Sequence, residues 1–374
     1  MTSSTQRIST GQGIAIVINA IAPSALLQLP AHVVSITGQD GWLTILLSML
    51  LGLVYALIIG RICLHSNGKP LLEWLESRFG KAVALLIGVI LCGYFFMGAT
   101  SVIRQFTNFV QEQLLRTTPI IAIALVIALV SVYAVWQGIE AIGRIHFIVF
   151  ALGFIIMLFN FTLLWSHYNW ANFLPFFEIS ASKHMSAVLL PAGWLSEISI
   201  VLFLLPYFEK SSQAAKSAMW GTVVSGVMIL TMVVMIIAVF GVRIVNVLSY
   251  PSFAALGMVE VGKFLERIDV FLLTAWIASM FTKVSIYLFC LFQVLDYIFR
   301  IRSRSSPLNA FAISAFISAS SIYSWSRNSN FIEYIFTSLS AYLLISNYGL
   351  FLLIWGGLGL TRRKKEALEG GGTV

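Results

Sequence analysis

The sequence predicts an all-α membrane protein with ten transmembrane helices in a five-plus-five inverted repeat, helices 1 and 6 broken. Three observations carry that expectation. Of 374 residues, 59% are hydrophobic and only 10% charged, and the mean hydropathy of +0.92 excludes an ordinary soluble domain. Apolar stretches of the roughly 20 residues needed to cross about 30 Å of hydrocarbon recur along the whole chain. The first and sixth of these stretches each carry helix breakers near their middles.

The ten segments fall at about 12–36, 42–64, 82–106, 119–137, 142–165, 185–207, 218–241, 269–298, 309–324 and 334–360, the ninth being short. Segment one contains Ala22-Pro23-Ser24-Ala25 and ends in Leu29-Pro30, whereas segment six contains Pro191-Ala192-Gly193-Trp194. Proline removes an amide donor and clashes with the preceding turn, which leaves backbone groups unpaired in a solvent that cannot pair them. Paired breaks at equivalent places in two halves point to a transporter-type site. Segment one is too long for a cleavable signal peptide and lacks a small-residue cleavage pattern. The second and third segments of each half are joined by an amphipathic link. Leu71, Leu72, Trp74, Leu75 and Phe79 share a face in the first, and Phe253, Leu256, Val259 and Phe264 alternate with charges in the second. These links read as lids over opposite mouths or as helices resting on lipid. An odd number of segments per half gives the halves opposite topology. The expected organisation is one integral-membrane domain over residues 1–374, with repeat one at about 11–166, repeat two at about 184–360 and a disordered cytoplasmic tail at 361–374.

Lysine and arginine set the orientation. Arg61, Lys69, Arg78, Lys81, Arg144, Lys210, Lys216, Arg300, Arg302, Arg304 and the Arg362–Lys365 run share one side, which places both termini in the cytoplasm. The net charge of +8 reflects this bias and contact with anionic lipid, and a nucleic-acid partner is not expected. Cys63, Cys92 and Cys290 read as packing residues, and the five histidines lack ligand spacing, so no metal and no cofactor is implied. With no nucleophile–base pair, phosphate loop or dinucleotide fingerprint, the chain is not expected to be an enzyme.

Charges near mid-membrane are costly and usually point inward. Glu197 follows the second break, and Lys283 sits in the middle of segment eight. Beside the first break, Lys283 would set its ammonium against carbonyls freed near Ala22 and Pro23 as a built-in substitute for a sodium ion, or else carry a proton. A structural Glu197–Lys283 ion pair is the plainer alternative. The expected ligand site comprises Ala22, Pro23, Ser24, Ala25, Tyr94, Gly193, Trp194, Glu197, Lys283 and Tyr287. Half-helix ends with an acid and a base suit a zwitterion, and the small residues allow it to approach the backbone. Glu197→Gln and Lys283→Met are each expected to abolish the response to ligand while leaving folding largely intact. Arg104 is expected to reach the outer interface, and Trp42, Trp170, Trp325 and Trp355 to anchor segment ends.

Four motifs give the chain a family likeness: Gly138-Ile139-Glu140-Ala141-Ile142-Gly143-Arg144, Asn172-Phe173-Leu174-Pro175, Tyr250-Pro251-Ser252-Phe253, and Gly262-Lys263-Phe264-Leu265-Glu266-Arg267-Ile268-Asp269. In order and spacing they resemble the spore germination permeases of the GerAB type, the B subunits of germinant receptors, over nearly the whole chain. The resemblance implies the LeuT-like fold of the amino acid–polyamine–organocation transporters. It also implies nutrient sensing in the spore inner membrane beside an A subunit and a lipoprotein C subunit. Where relatives tend to carry a Gly-x-Gly-like stretch, this chain reads Pro23-Ser24-Ala25, so a ligand carboxylate cannot meet an amide of Pro23. The expected function is a receptor subunit that binds a small nutrient and triggers germination. The alternatives are a proton-coupled amino acid transporter and a scaffold or ion-conducting subunit.

Overall fold

In a computed structural model, residues 6–258, 269–300, 307–325 and 327–358 are described, and among them there is no strand. The helices are α1 (Thr10–Thr37), α2 (Gly41–Ser66), α3 (Leu71–Phe79), α4 (Lys81–Gln113), α5 (Ile120–Gln137) and α6 (Ile139–Leu163) in the first half. The second half holds α7 (Ala181–Leu195), α8 (Ser211–Val245), α9 (Pro251–Leu256), α10 (Asp269–Phe299), α11 (Pro307–Tyr323) and a final span, α12 (Asn328–Leu358). Each of the ten expected segments coincides with a helix. Among the described residues, eight stretches are long and apolar enough to cross a membrane, the first of them containing both α1 and α2, and the apolar part of α11 is shorter. The second link shows α9 at its start, while its continuation at 259–268, which holds the last of the four motifs up to its final residue, and the tail beyond 358 lie outside the described residues.

The breaks take a milder form than expected. α1 starts at a capping box between Ser9 and Gln12 and stays helical through Pro23 and Pro30. Pro30 frees the carbonyl four residues back, that of Leu26, and Ser252 Oγ donates to it at 2.7 Å. α7 passes Pro191 unbroken and then tightens into a 3₁₀ segment, Ser196–Phe203. A clearer interruption falls in α8, where Gly241 has φ +65° and ψ 165°, outside the helical range, so the helical ladder is interrupted beside the carbonyls of Ile237 and Ala238. Asn172 Nδ2 donates to both at 3.1 Å, and Asn169 N–H joins at Ala238 O. Gly138 turns the chain between α5 and α6 at φ +87°, where a Cβ would collide with the Gln6 side chain that accepts from Ile139 N–H. Three of the four motifs thus hold devices that repair or allow interrupted helices.

The links are fastened across the halves. α3 buries Leu71, Leu72, Trp74 and Leu75, and Tyr297 near the end of α10 donates to Glu76 at 2.7 Å. Tyr250, just before α9, donates to Glu112 near the end of α4 at 3.0 Å, and Glu112 also accepts from Asn328 at the start of α12. α3 adjoins the start of α4 and Tyr250 its end, about 50 Å away along 33 residues. Burial and the adjoining carboxylate hold the Tyr250 phenol above its ordinary value, so it remains a donor.

Arg104 is buried within the bundle: its guanidinium donates to the Ser321 and Ile322 carbonyls at the end of α11, where a helix dipole favours a cation. Trp325 is likewise buried against Phe331 and Tyr334 rather than anchoring an end.

Candidate functional site

The geometry converges on Lys283. Its Nζ donates to Glu197 Oε2 at 2.7 Å and to Ser24 Oγ at 2.6 Å, joining α10, the 3₁₀ segment after α7 and α1. The charged side chains are 1% and 5% exposed, so this is a buried ion pair. The open question of whether these residues pair is thereby answered, and the carbonyls expected as the ammonium's partners are engaged elsewhere. Pro23 O accepts from Trp276 Nε1 at 3.0 Å, and Ser24 O accepts from Gln105 Nε2 at 3.2 Å. Gln105 also reaches Gln28 Oε1, which ties α4 to α1 beside the pair.

Tyr287 lies one turn beyond Lys283, its ring centroid 5.6 Å from Nζ. Gly98 of α4 lets this ring lie against the helix, since a Cβ there would stand 2.1 Å from Tyr287 Cε1. The Tyr287 and Tyr94 hydroxyls are 3.4 Å apart, and Tyr94 accepts from Asn347 Nδ2 at 3.2 Å. Asn347 also donates to Ser196 and accepts from Ser199, so one amide connects α12, α4 and the residues flanking Glu197. It sits in a π-helical stretch, Leu344–Gly349, a form of helix frequent at functional sites.

Of the ten expected site residues, Ser24, Trp194, Glu197, Lys283 and Tyr287 line one cavity of about 20 Å³, room for about one water. Tyr94 stands behind it through Tyr287. Gly193 packs against α12, and Ala25 is fully buried in the core. Ala22 and Pro23 instead line a second cavity. Sequence reasoning passed over Asn347, Gln105, Ser196 and Ser199. Their signal was an amide or a hydroxyl within an apolar span, too common in such spans to single out these four.

A family model described as spore germination protein matches residues 7–332. The chain belongs to that family. It is 25% identical over 283 residues to spore germination protein A2 of Bacillus subtilis (strain 168), covering 75% of this chain and 78% of that one. With spore germination protein KB of the same organism it shares 27% over 293 residues, 76% of each chain. With spore germination protein XB of Bacillus anthracis it shares 22% over 343 residues, 88% of this chain and 92% of that one. Among solved structures, a Na⁺-coupled sialic acid symporter matches with a TM-score of 0.59 at 11% identity, over 91% of this chain and 79% of that one. A manganese transporter of Eremococcus coleocola matches with a TM-score of 0.56 at 14% identity, over 93% and 76%. These likenesses show the fold, the LeuT-like arrangement read from the sequence. The protein is an integral membrane protein of a permease-like family with a germination role.

Proposed function

We propose that this protein is the membrane subunit of a spore germinant receptor, binding a small nutrient between its halves and triggering germination with an A and a C subunit. The reading also places it in the spore inner membrane as one domain with both termini cytoplasmic. What carries it is the buried Lys283–Glu197 pair at the meeting of α1, α10 and the end of α7, since ionisable groups inside a membrane protein are a functional site by default. A zwitterion suits that pair: its carboxylate would take Lys283 and its ammonium Glu197, exchanging one ion pair for two. Room for about one water is too little for a nutrient, so binding must separate the pair and draw α10 from Glu197. A ligand that binds only the separated form shifts the population toward it, which is the physical content of a trigger.

A transporter reading rests on the same pair, because a buried lysine and carboxylate are able to hand a proton between them. The experiment is a thermal-shift screen of the purified protein with amino acids, sugars and nucleosides, followed by uptake of any hit into reconstituted vesicles. The receptor reading expects stabilisation by a nutrient, loss of it in Glu197→Gln, and no pH-driven uptake. Saturable pH-driven uptake by the isolated protein would replace it with the transporter, and no stabilisation by any nutrient would remove the ligand site.

A further inference from the structure

The second cavity, about 120 Å³, lies on another face of α1 from Ser24. It occupies a gap under the middle of α6. That helix buries Ile139, Ile142, Gly143 and His146 near one end and Asn160 near the other, with nothing fully buried between. The near end is fastened by Asn19 of α1, whose Nδ2 donates to His146 O at 2.8 Å. Phe150, Gly153, Phe154 and Met157 of α6 form one wall, and Ala22 and Pro23 of α1 stand opposite. Ser252 and Phe253 of α9 contribute at the link, so the cavity runs from mid-helix to the second link.

Its polar groups are mostly spent. Ser252 Oγ is held by Leu26 O and Ser279 Oγ by Trp276 O. Asn160 differs: it lines the cavity, its Nδ2 donates to Ile156 O, and its Oδ1 has no partner and under 1 Å² of accessible surface, so a donor in the cavity reaches it once the amide turns toward the space. An unmet buried acceptor is costly, and a donor supplied there recovers that cost. An apolar cavity of about 150 Å³ holds benzene, which sets the scale for this one.

We propose that this cavity is a second ligand site, which takes a small uncharged apolar molecule of one ring or a branched alkyl group carrying a single hydrogen-bond donor aimed at Asn160 Oδ1. Its walls suit that class. Methionine and phenylalanine adapt to an apolar body, and among the described residues no charged side chain lines the space. The site is separate from the Lys283–Glu197 pair yet touches the same helix one residue away, so an occupant presses on the segment that positions Ser24.

The full-length protein in lipid nanodiscs is titrated with 4-fluorophenol and with 4-fluorotoluene, binding being read from ¹⁹F line broadening. A Cβ on Gly153 meets nothing within 4 Å, so Gly153→Leu fills the space without striking the backbone. We expect saturable binding of 4-fluorophenol, about tenfold weaker binding of 4-fluorotoluene, and loss of both in Gly153→Leu at an unchanged or higher melting temperature. Asn160→Leu should bind both probes alike. Absence of saturation in the wild type, as when a lipid chain holds the cavity, overturns the proposal. So does binding that survives Gly153→Leu, or a phenol preference that survives Asn160→Leu.

Discussion

Removing one member of the Lys283–Glu197 pair should cost more than removing both. Lys283→Met leaves a carboxylate enclosed by α1, α4, α10 and α12, with its ammonium partner gone from 2.7 Å. Breaking a buried pair in this way costs about 3–5 kcal/mol, whereas replacing both charges by uncharged groups of similar size is often neutral or stabilising. Glu197→Gln should lie toward the lower end, because its amide oxygen still accepts from Lys283 and Ser24 Oγ remains at 2.6 Å. The direct pairing therefore replaces the expectation that either single change leaves folding largely intact. Thermal unfolding midpoints in detergent for the wild type, both single variants and Glu197→Gln/Lys283→Met form a closed cycle. The double variant should stand closer to the wild type than Lys283→Met does. A double variant that falls by the sum of the two single losses would refute the coupling, and with it the assignment of the pair as one unit.

Ser252→Ala strips the Leu26 carbonyl of its donor and should cost about 1–3 kcal/mol; adding Pro30→Ala, which restores a helical amide to that carbonyl, should recover most of the loss. Chemical denaturation of the two variants checks this, and an unrecovered loss counts against the carbonyl as the cause. Gly98→Ala drives a methyl into the Tyr287 ring and should destabilise by about 1–3 kcal/mol, with altered tyrosine fluorescence as a second readout. Tyr250→Phe should raise hydrogen exchange at α9 and leave α3 unchanged, while Tyr297→Phe does the reverse. Equal effects at both links would show that they are not fastened separately.

The spans, the first link, the start of the second and the intramembrane charges were legible because each is a local signal. Hydropathy marks a helix, a face of leucines marks α3, and a lysine in segment eight stands out against its neighbours. Pro30 was legible as a breaker, but the group that repairs its effect is Ser252, 226 residues from Leu26. No pattern within either segment announces that bond. Gly241 escaped notice for the same reason: a lone glycine in an apolar run reads as packing until Asn172 is seen on the carbonyls beside it. The ion pair was foreseen as an alternative, while its third partner at Ser24 Oγ depends on how α1 and α10 cross. The apolar cavity had no sequence signature, because a gap arises from what helices fail to bury.

The two fasteners share an asymmetry of chain order. Both acids, Glu76 and Glu112, belong to the first half, and both phenols, Tyr250 and Tyr297, to the second. During synthesis the first five spans are complete before either phenol exists. For that interval each acid sits at the end of a helix or in an amphipathic link, where water or lipid headgroups satisfy it at little cost. The bond near α9 forms across 138 residues and the bond at α3 across 221. Tyr250 is therefore available to its acid before Tyr297 exists, so a chain ending between them has the partner for one fastener only.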